Sequence, residues 1–430
     1  MSSGEAVTRR GLLALIGTST MAGCSGLGRF AGEQRDTIRA YDLPDIDEDA
    51  AVEPSVQPSV PVEIAESYLD ATRNRTFALL ATLPLPLGAD DIPNGHIRQD
   101  LTDAAADATD RLDDALAADT RFAALRALRW ARERARYAAA GWAAVDEGLV
   151  AERVRRAHRQ SVTEGQSLRE SHTYVGTDPV RATLVHARIE TALERASDEA
   201  HIHSSHDGSE ILEVAAWGEE AESVRALVAD ARQLDAQFTA SLPTDAGTVE
   251  ATIRGAAERL LSDIRSRRSD LPPEPTADEW GVEERLVADL RRAATSGPKR
   301  IADASGPATA VVDANTRRAY IRAVQRIHSR FDEDGEYQIE SAADIRSLRT
   351  DAYDALQTAL GASPTPDLAR TVVTDAAGRI ASADWELSRV QGEARLSQFD
   401  DTIAGYLAGR ALARTTPETC RQTVDALRTG

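Results

Sequence analysis

Residues 371–390 read TVVTDAAGRIASADWELSRV. Apolar side chains recur at Val373, Ala376, Ile380, Ala383, Leu387 and Val390. Steps of three and four place them on one face of a 3.6-residue helix, whereas a half-buried strand would alternate every second residue. Leu396, Phe399, Ile403 and Leu407 carry the stripe onward. Working outward, the same spacing returns at Tyr320, Val324, Ile327 and Phe331, and at Ile345, Leu348, Ala352, Ala355 and Ala359. It is found again at Val249, Ile253, Ala256, Leu260 and Ile264, and at Val224, Leu227, Val228, Ala231, Leu234 and Phe238. Each set gives one apolar stripe to bury. No convincing run of alternating β-branched residues occurs, so the expectation is an all-α fold with no sheet.

The punctuation agrees. Asp178-Pro179 and Thr416-Pro417 each set a capping residue before a proline at a first helical position. Thr276 with Glu279 fits a capping box. Breaks are expected at Leu83–Gly95, His203–Gly208, Leu242–Gly247, Leu271–Pro275, Gly297–Gly306, Asp332–Gly335 and Gly361–Pro366. No proline occurs between Pro93 and Pro179, so residues 120–172 would make one or two very long helices, with Gly141 or Gly148 as the weak point. Short loops between amphipathic helices favour antiparallel neighbours. The expected architecture is an elongated bundle, or stacked α-hairpins, of about ten amphipathic helices. The Pro243–Gly247 loop divides it into residues 61–242 and 243–430, with no clear repeat between them.

The N-terminus reads as targeting. Arg9-Arg10 precede a short apolar stretch, Gly11 to Met21, too short to span a bilayer, which takes roughly 20 apolar residues. Thr8-Arg9-Arg10-Gly11-Leu12-Leu13 resembles a twin-arginine export signal, and Met21-Ala22-Gly23-Cys24 resembles a lipobox. The resemblance is to twin-arginine-exported prokaryotic lipoproteins. It implies removal of residues 1–23, a lipid on Cys24 and residence on the outer face of the cell membrane. Residues 24–60 combine Gly and Ser, the acidic stretch Asp42 to Glu53, and Pro54 and Pro58, with Pro61 just beyond. They read as a lipid-anchored disordered tether.

The net charge is −20, and the signal carries one more arginine than carboxylates, so the mature chain is more acidic still. Lys299 is the only lysine. This balance resembles proteins of salt-loving archaea, in which high salt screens the repulsion among surface carboxylates. It argues against nucleic acid as a partner, because phosphates repel such a surface. Cys24 and Cys420 are the only cysteines, so a lipidated Cys24 leaves a body without disulfides.

The densest set of ligating residues is Asp198, Glu199, His201, His203, His206 and Asp207. His201, His203, His206 and Asp207 form the candidate site for a divalent metal. A polar helix terminus accounts for the same residues without one. His158, His172 and His186 read as lone helix-surface histidines, and Asp113-Asp114 and Glu219-Glu220 as solvated faces. No His-Glu-x-x-His pair, Gly-x-Ser-x-Gly elbow or phosphate loop occurs, and the Gly-x-His-x-x-Glu pattern of imelysin-like lipoproteins is absent. Arg121, Arg126, Arg129, Arg132, Arg134 and Arg136 interleave with Phe122, Trp130 and Tyr137. They would either pair with the acidic stretch Asp100 to Asp119 or grip an acidic partner or ligand. Asn74-Arg75-Thr76 is a glycosylation acceptor pattern. With no catalytic set, the expected role is a non-enzymatic scaffold or docking protein for an envelope protein, needing no cofactor. The alternative is a ligand- or metal-binding lipoprotein using the His201–His206 loop.

Overall fold

The computed structural model describes residues 37–44, 46, 56–197, 208–276, 280–334 and 339–429. The signal with Arg9 and Arg10, the lipid-acceptor Cys24 and the whole cluster from Asp198 to Asp207 lie outside the described residues.

The fold is all-α. The first half contributes α1 (Glu66–Leu80), α2 (Gly95–Leu116), α3 (Arg121–Asp146), α4 (Ala151–Ser171), α5 (Pro179–Ser197) and α6 (Glu210–Ala240). The second contributes α7 (Glu250–Arg268), α8 (Val282–Thr295), α9 (Pro307–Asp334), α10 (Ala342–Ala362), α11 (Pro366–Ser388) and α12 (Asp400–Arg428). In the first half α3 packs on α1, α2 and α6, and α6 also receives α4 and α5. In the second, α12 packs on α10, α11 and α9, while α9 also receives α7 and α8. The halves join chiefly where α5 lies on α9. One apolar cluster runs through both, from Ile38 to Leu427, so they share a core. Many of its members are alanines, which let helix axes approach closely. No described helix is long and apolar enough to cross a membrane.

The 120–172 region is two helices, α3 and α4, broken at Gly148. Gly148 has φ +67°, a left-handed conformation that glycine adopts without a Cβ penalty. Gly141 instead sits inside α3, where an added Cβ would lie 2.5 Å from Leu101 Cδ2. Asp178 caps α5 as its spacing predicts, its Oδ1 accepting from Val180 N at 2.8 Å.

Four features depart from the sequence expectation. First, two small antiparallel ladders exist. β1 (Thr37–Arg39) pairs with β4 (Glu393–Arg395), and β2 (Val175–Gly176) pairs with β3 (Gly247–Thr248). Strands this short cannot display an alternating pattern. Second, part of the expected tether belongs to the body. Ile38, Leu43 and Val56 are buried, and residues 56–64 form a strap hydrogen-bonded to both halves. Thr374 and Arg370 donate to the Val56 and Gln57 carbonyls, while Thr120 and Arg181 donate to those of Pro58 and Pro61. Low hydrophobicity forbids folding alone, but not pairing along a core that already exists. Third, Thr416-Pro417 lies within α12 instead of starting a helix. Thr415 and Thr416 are buried and return their hydroxyls to the Leu412 carbonyl at 3.0 and 2.8 Å, which eases the turn a proline leaves short of a donor. Fourth, α8 starts later than Thr276, and Glu279 of the expected capping box lies outside the described residues. That helix begins at Val282, with Glu284 accepting from Gly281 N at 3.1 Å.

Candidate functional site

The arginine-rich face of α3 settles the question its spacing posed. Most of these arginines pair internally, but chiefly with α6. Arg132 donates through Nε and Nη2 to Glu222 Oε1 at 3.0 and 2.8 Å, and Arg75 of α1 reaches Glu222 Oε2 at 3.3 Å. Burial works against the Glu222 carboxylate, yet Arg132, Arg75 and Arg225 hold it below the usual range. Arg129 lies 3.5 Å from Asp230, which also accepts from Tyr68 Oη at 2.8 Å. There burial wins, and the Asp230 carboxyl is pushed up to about 6. Arg134 bridges Asp107 of α2 and Glu219 of α6, both at 3.3 Å. Asp107 is the one residue of the Asp100 to Asp119 stretch to receive an α3 arginine.

Arg126 is different. Among the described residues no carboxylate lies within ion-pair reach of it, and its guanidinium sits 5.3 Å from the Trp130 ring centre. Burial and the neighbouring Arg129 and Arg195 lower its pKa. On α5, Arg188 also makes no hydrogen bond or ion pair among the described residues, though Asp367 acts on it at longer range. Arg188 stacks 5.1 Å from the Phe122 ring centre. Burial, then Arg126, pushes its guanidinium down to about 10.

Both arginines border a cleft of about 530 Å³ between the halves. A second cavity of about 200 Å³ shares them as a common wall. Helical spacing builds the walls. On α5, Arg188, Thr191, Ala192 and Arg195 share a face; on α9, Asp313, Thr316, Arg317 and Tyr320 do; on α11, Arg370, Thr371, Thr374 and Asp375 do. The strap adds Pro58. Arg317 and Arg370 are not ion-paired either, and donate instead to the carbonyls of Pro298 and Gln57. Gly297 closes one side at φ +88°, where a side chain would press on Arg317 Cδ 3.3 Å away.

Glu190, also on α5, fixes the facing wall. Its buried carboxylate accepts from Ala308 N and Thr309 N at 3.0 and 2.6 Å, capping α9 from another helix, and from Tyr174 Oη at 2.7 Å. This ties the α9 face to the helix that carries Arg188. Burial raises the Glu190 pKa against these donors.

The histidines are not surface residues, contrary to the sequence reading. His158 and His186 are buried, and His172 caps the end of α4. Amphipathic spacing cannot show this, because an imidazole fits either face. His186 Nε2 donates to the Val175 carbonyl at 2.9 Å. Its Nδ1 therefore accepts from His172 Nε2 at 3.1 Å, and His172 Nδ1 faces Asp235 at 3.7 Å. Tyr174 and Phe238 pack around this chain, which lines neither cavity. No group of residues suited to a metal occurs among the described residues. Cys420 is buried, with Asn315 Nδ2 3.9 Å from its sulfur, and burial pushes its thiol up to about 12. Asn74 is exposed on α1, but Thr76 is fully buried and gives its hydroxyl to the Thr72 carbonyl at 3.3 Å.

The cleft presents guanidiniums and hydroxyls suited to holding an oxyanion, and no imidazole or thiol lines it. Arg126 is the one member that the sequence marked for binding; Tyr320, Pro58 and Gly297 were read there as core stripe, tether and break. The others come from four helices far apart in the chain, and only their three- and four-residue spacing recurs locally.

Two family models match the chain. Residues 67–245 are similar to a family described as Domain of unknown function (DUF8262), and residues 250–425 to one described as Domain of unknown function (DUF8264). No curated protein and no solved structure shows a match. The matched regions meet beside β3, and each supplies part of the cleft: Arg126 and Arg188 from the first, Asp313, Arg317 and Arg370 from the second.

Proposed function

We propose that this protein is an exported, lipid-anchored binding protein whose inter-half cleft captures a small molecule bearing a carboxylate or phosphate. One observation carries the reading. In a chain of net charge −20, Arg126 and Arg188 line a cavity and form no ion pair among the described residues, although Asp367 acts on Arg188 at longer range. A desolvated cation without a counter-ion is costly, and an acidic chain has partners to spare. Leaving these two arginines unpaired is explained by a counter-ion that arrives from outside. The size fits, since small-molecule sites are typically ~300–1,000 Å³.

Calorimetric titration of the purified mature chain with inorganic phosphate and citrate, in salt that keeps it folded, tests the reading. The wild type binds one or both, and Arg188→Gln binds neither. Silence from both anions in the wild type sinks it. Anchoring rests on Arg9, Arg10 and Cys24. Cys24→Ala should move the protein from membranes to the medium, and replacing Arg9 and Arg10 by Lys should hold it inside the cell. A second reading, docking onto an envelope protein, draws on the exposed Trp385 and Trp280. A photo-cross-linker at position 385 that captures no protein from intact cells removes it.

A further inference from the structure

The α9 and α11 walls of the cleft carry two carboxyls, Asp313 and Asp375, beside Arg317 and Arg370. Asp313 makes no hydrogen bond or ion pair, although Arg317 stands four residues later on the same helix. Arg317 turns to the Pro298 carbonyl instead. Asp375 accepts only from Tyr320 Oη, at 3.4 Å. Arg379, four residues on, is engaged by Asp289 and by Tyr320. Arg317 and Arg379 thus act on the two carboxyls only through space, without an ion pair, and among the described residues Arg126 and Arg188 make none with them either.

Lone cations and lone carboxyls around one volume each lose hydration without gaining a partner. A ligand with only a negative charge would serve the guanidiniums and leave Asp313 and Asp375 without a cation. We infer that the cleft takes an amphoteric small molecule, whose oxyanion lies at Arg126 and Arg188 and whose ammonium group lies at Asp313 and Asp375. This rests on the anion-binding reading above and adds the amine to it. Guanidiniums suit a planar oxyanion in two-point contact, and a compact ammonium donates to two carboxylates at once. The oxyanion is a carboxylate, as in an amino acid, or a phosphate, as in an aminoalkyl phosphate.

Two pairs of probes that differ only by the amine test this on the mature chain by calorimetry: L-glutamate against glutarate, and phosphoethanolamine against ethyl phosphate. In at least one pair the amine-bearing member should bind about tenfold tighter or more, an advantage of ~1.4 kcal/mol. That pair identifies the oxyanion. Asp313→Asn should bring the ratio near one while leaving the amine-free probe as tight or tighter. Asp375→Asn serves as an independent variant should the first fold poorly. The wild-type advantage should also shrink as the pH falls through about 6, where the Asp313 carboxyl takes up a proton. If the amine-free probes bind as well as their partners and both carboxyl variants leave the ratios unchanged, the amphoteric inference is overturned and the anion site stands. If no probe binds, both fall together.

Discussion

Arg132 and Arg126 lie six residues apart on α3 and meet opposite fates. Arg132 is buried and held by Glu222, whose carboxylate also receives Arg75. Arg126 looks into a cleft and is held by nothing but an aromatic ring. The second half repeats the first fate in Asp384. It accepts from Arg349 at 2.8 and 2.9 Å, from Tyr353 Oη at 2.6 Å, and from Tyr406 Oη. The same residue type therefore serves two ends. Where the chain supplies the acid, the arginine joins helices. Where it withholds one, the arginine is available to something else.

The largest expected effect attacks the satisfied side. Glu222→Ala strands Arg132 and Arg75, and should cost about 3–5 kcal/mol in denaturant unfolding at native salt. Asp384→Ala should behave alike, since it leaves a guanidinium and two buried hydroxyls without an acceptor. Arg188→Gln removes a charge that has no partner and should leave the ligand-free protein as stable or more so. Equal losses from Glu222→Ala and Arg188→Gln would abolish the distinction.

Next comes linkage to ligand. A molecule present at a hundred times its Kd stabilises the form that binds it by ~2.7 kcal/mol. A bound anion should raise the wild-type melting temperature accordingly and leave Arg188→Gln unmoved. A shift of the same size in the variant would place the ligand elsewhere.

The acid limb sharpens the comparison through groups with opposite slopes, the carboxyls Asp313 and Asp230, both pushed up to about 6, against the imidazole of His186. Burial pushes Asp313 up to about 6, so between about 4 and 6 the folded state holds a proton the unfolded state has released, and stability falls as the pH rises. Burial pushes His186 down to about 4, so over nearly the same window the unfolded state holds the extra proton, and stability rises with pH. The two partly cancel. Asp313→Asn should shift the balance toward the histidine slope, making the protein more acid-labile, and His186→Gln should leave the opposite slope of Asp313 and Asp230. Melting temperatures between pH 4 and 6 that tilt the same way in both variants would contradict the assignment.

How much of this was legible in the sequence follows from the distance over which each feature is decided. The stripe from Val373 to Leu387, the Asp178 cap and the Gly148 break depend on neighbours within a turn or two, and the structure keeps them, whereas the stripe's expected run through Val390 to Leu407 is broken by β4. The small ladders, the strap at residues 56–64 and the continuity of α12 through Pro417 depend on partners elsewhere in the chain. The cleft is the extreme case. Arg126 and Arg132 have the same chemistry and similar surroundings in sequence. Only the position of α6, which carries Glu222 beside one and leaves the other facing α5, tells them apart.

That reasoning implies the distinction can be erased by supplying the missing acid. Thr191 lines the smaller cavity on the same face as Arg188 and Arg195, three residues after the first and four before the second. In Thr191→Glu the new carboxylate can pair with either guanidinium across one helical turn. Such pairs contribute only ~0.2–0.5 kcal/mol on an exposed helix face, so stability should hardly change. Occupancy should change a great deal, because Arg188 would then be neutralised from within, as Arg132 is, and the wild-type anion titration should fall silent. If Thr191→Glu binds the anion as tightly as the wild type, Arg188 is not what holds it, and its lack of a partner needs another explanation. If binding is lost while the melting temperature stays put, the cleft differs from the buried networks of α3 by the absence of a single carboxylate.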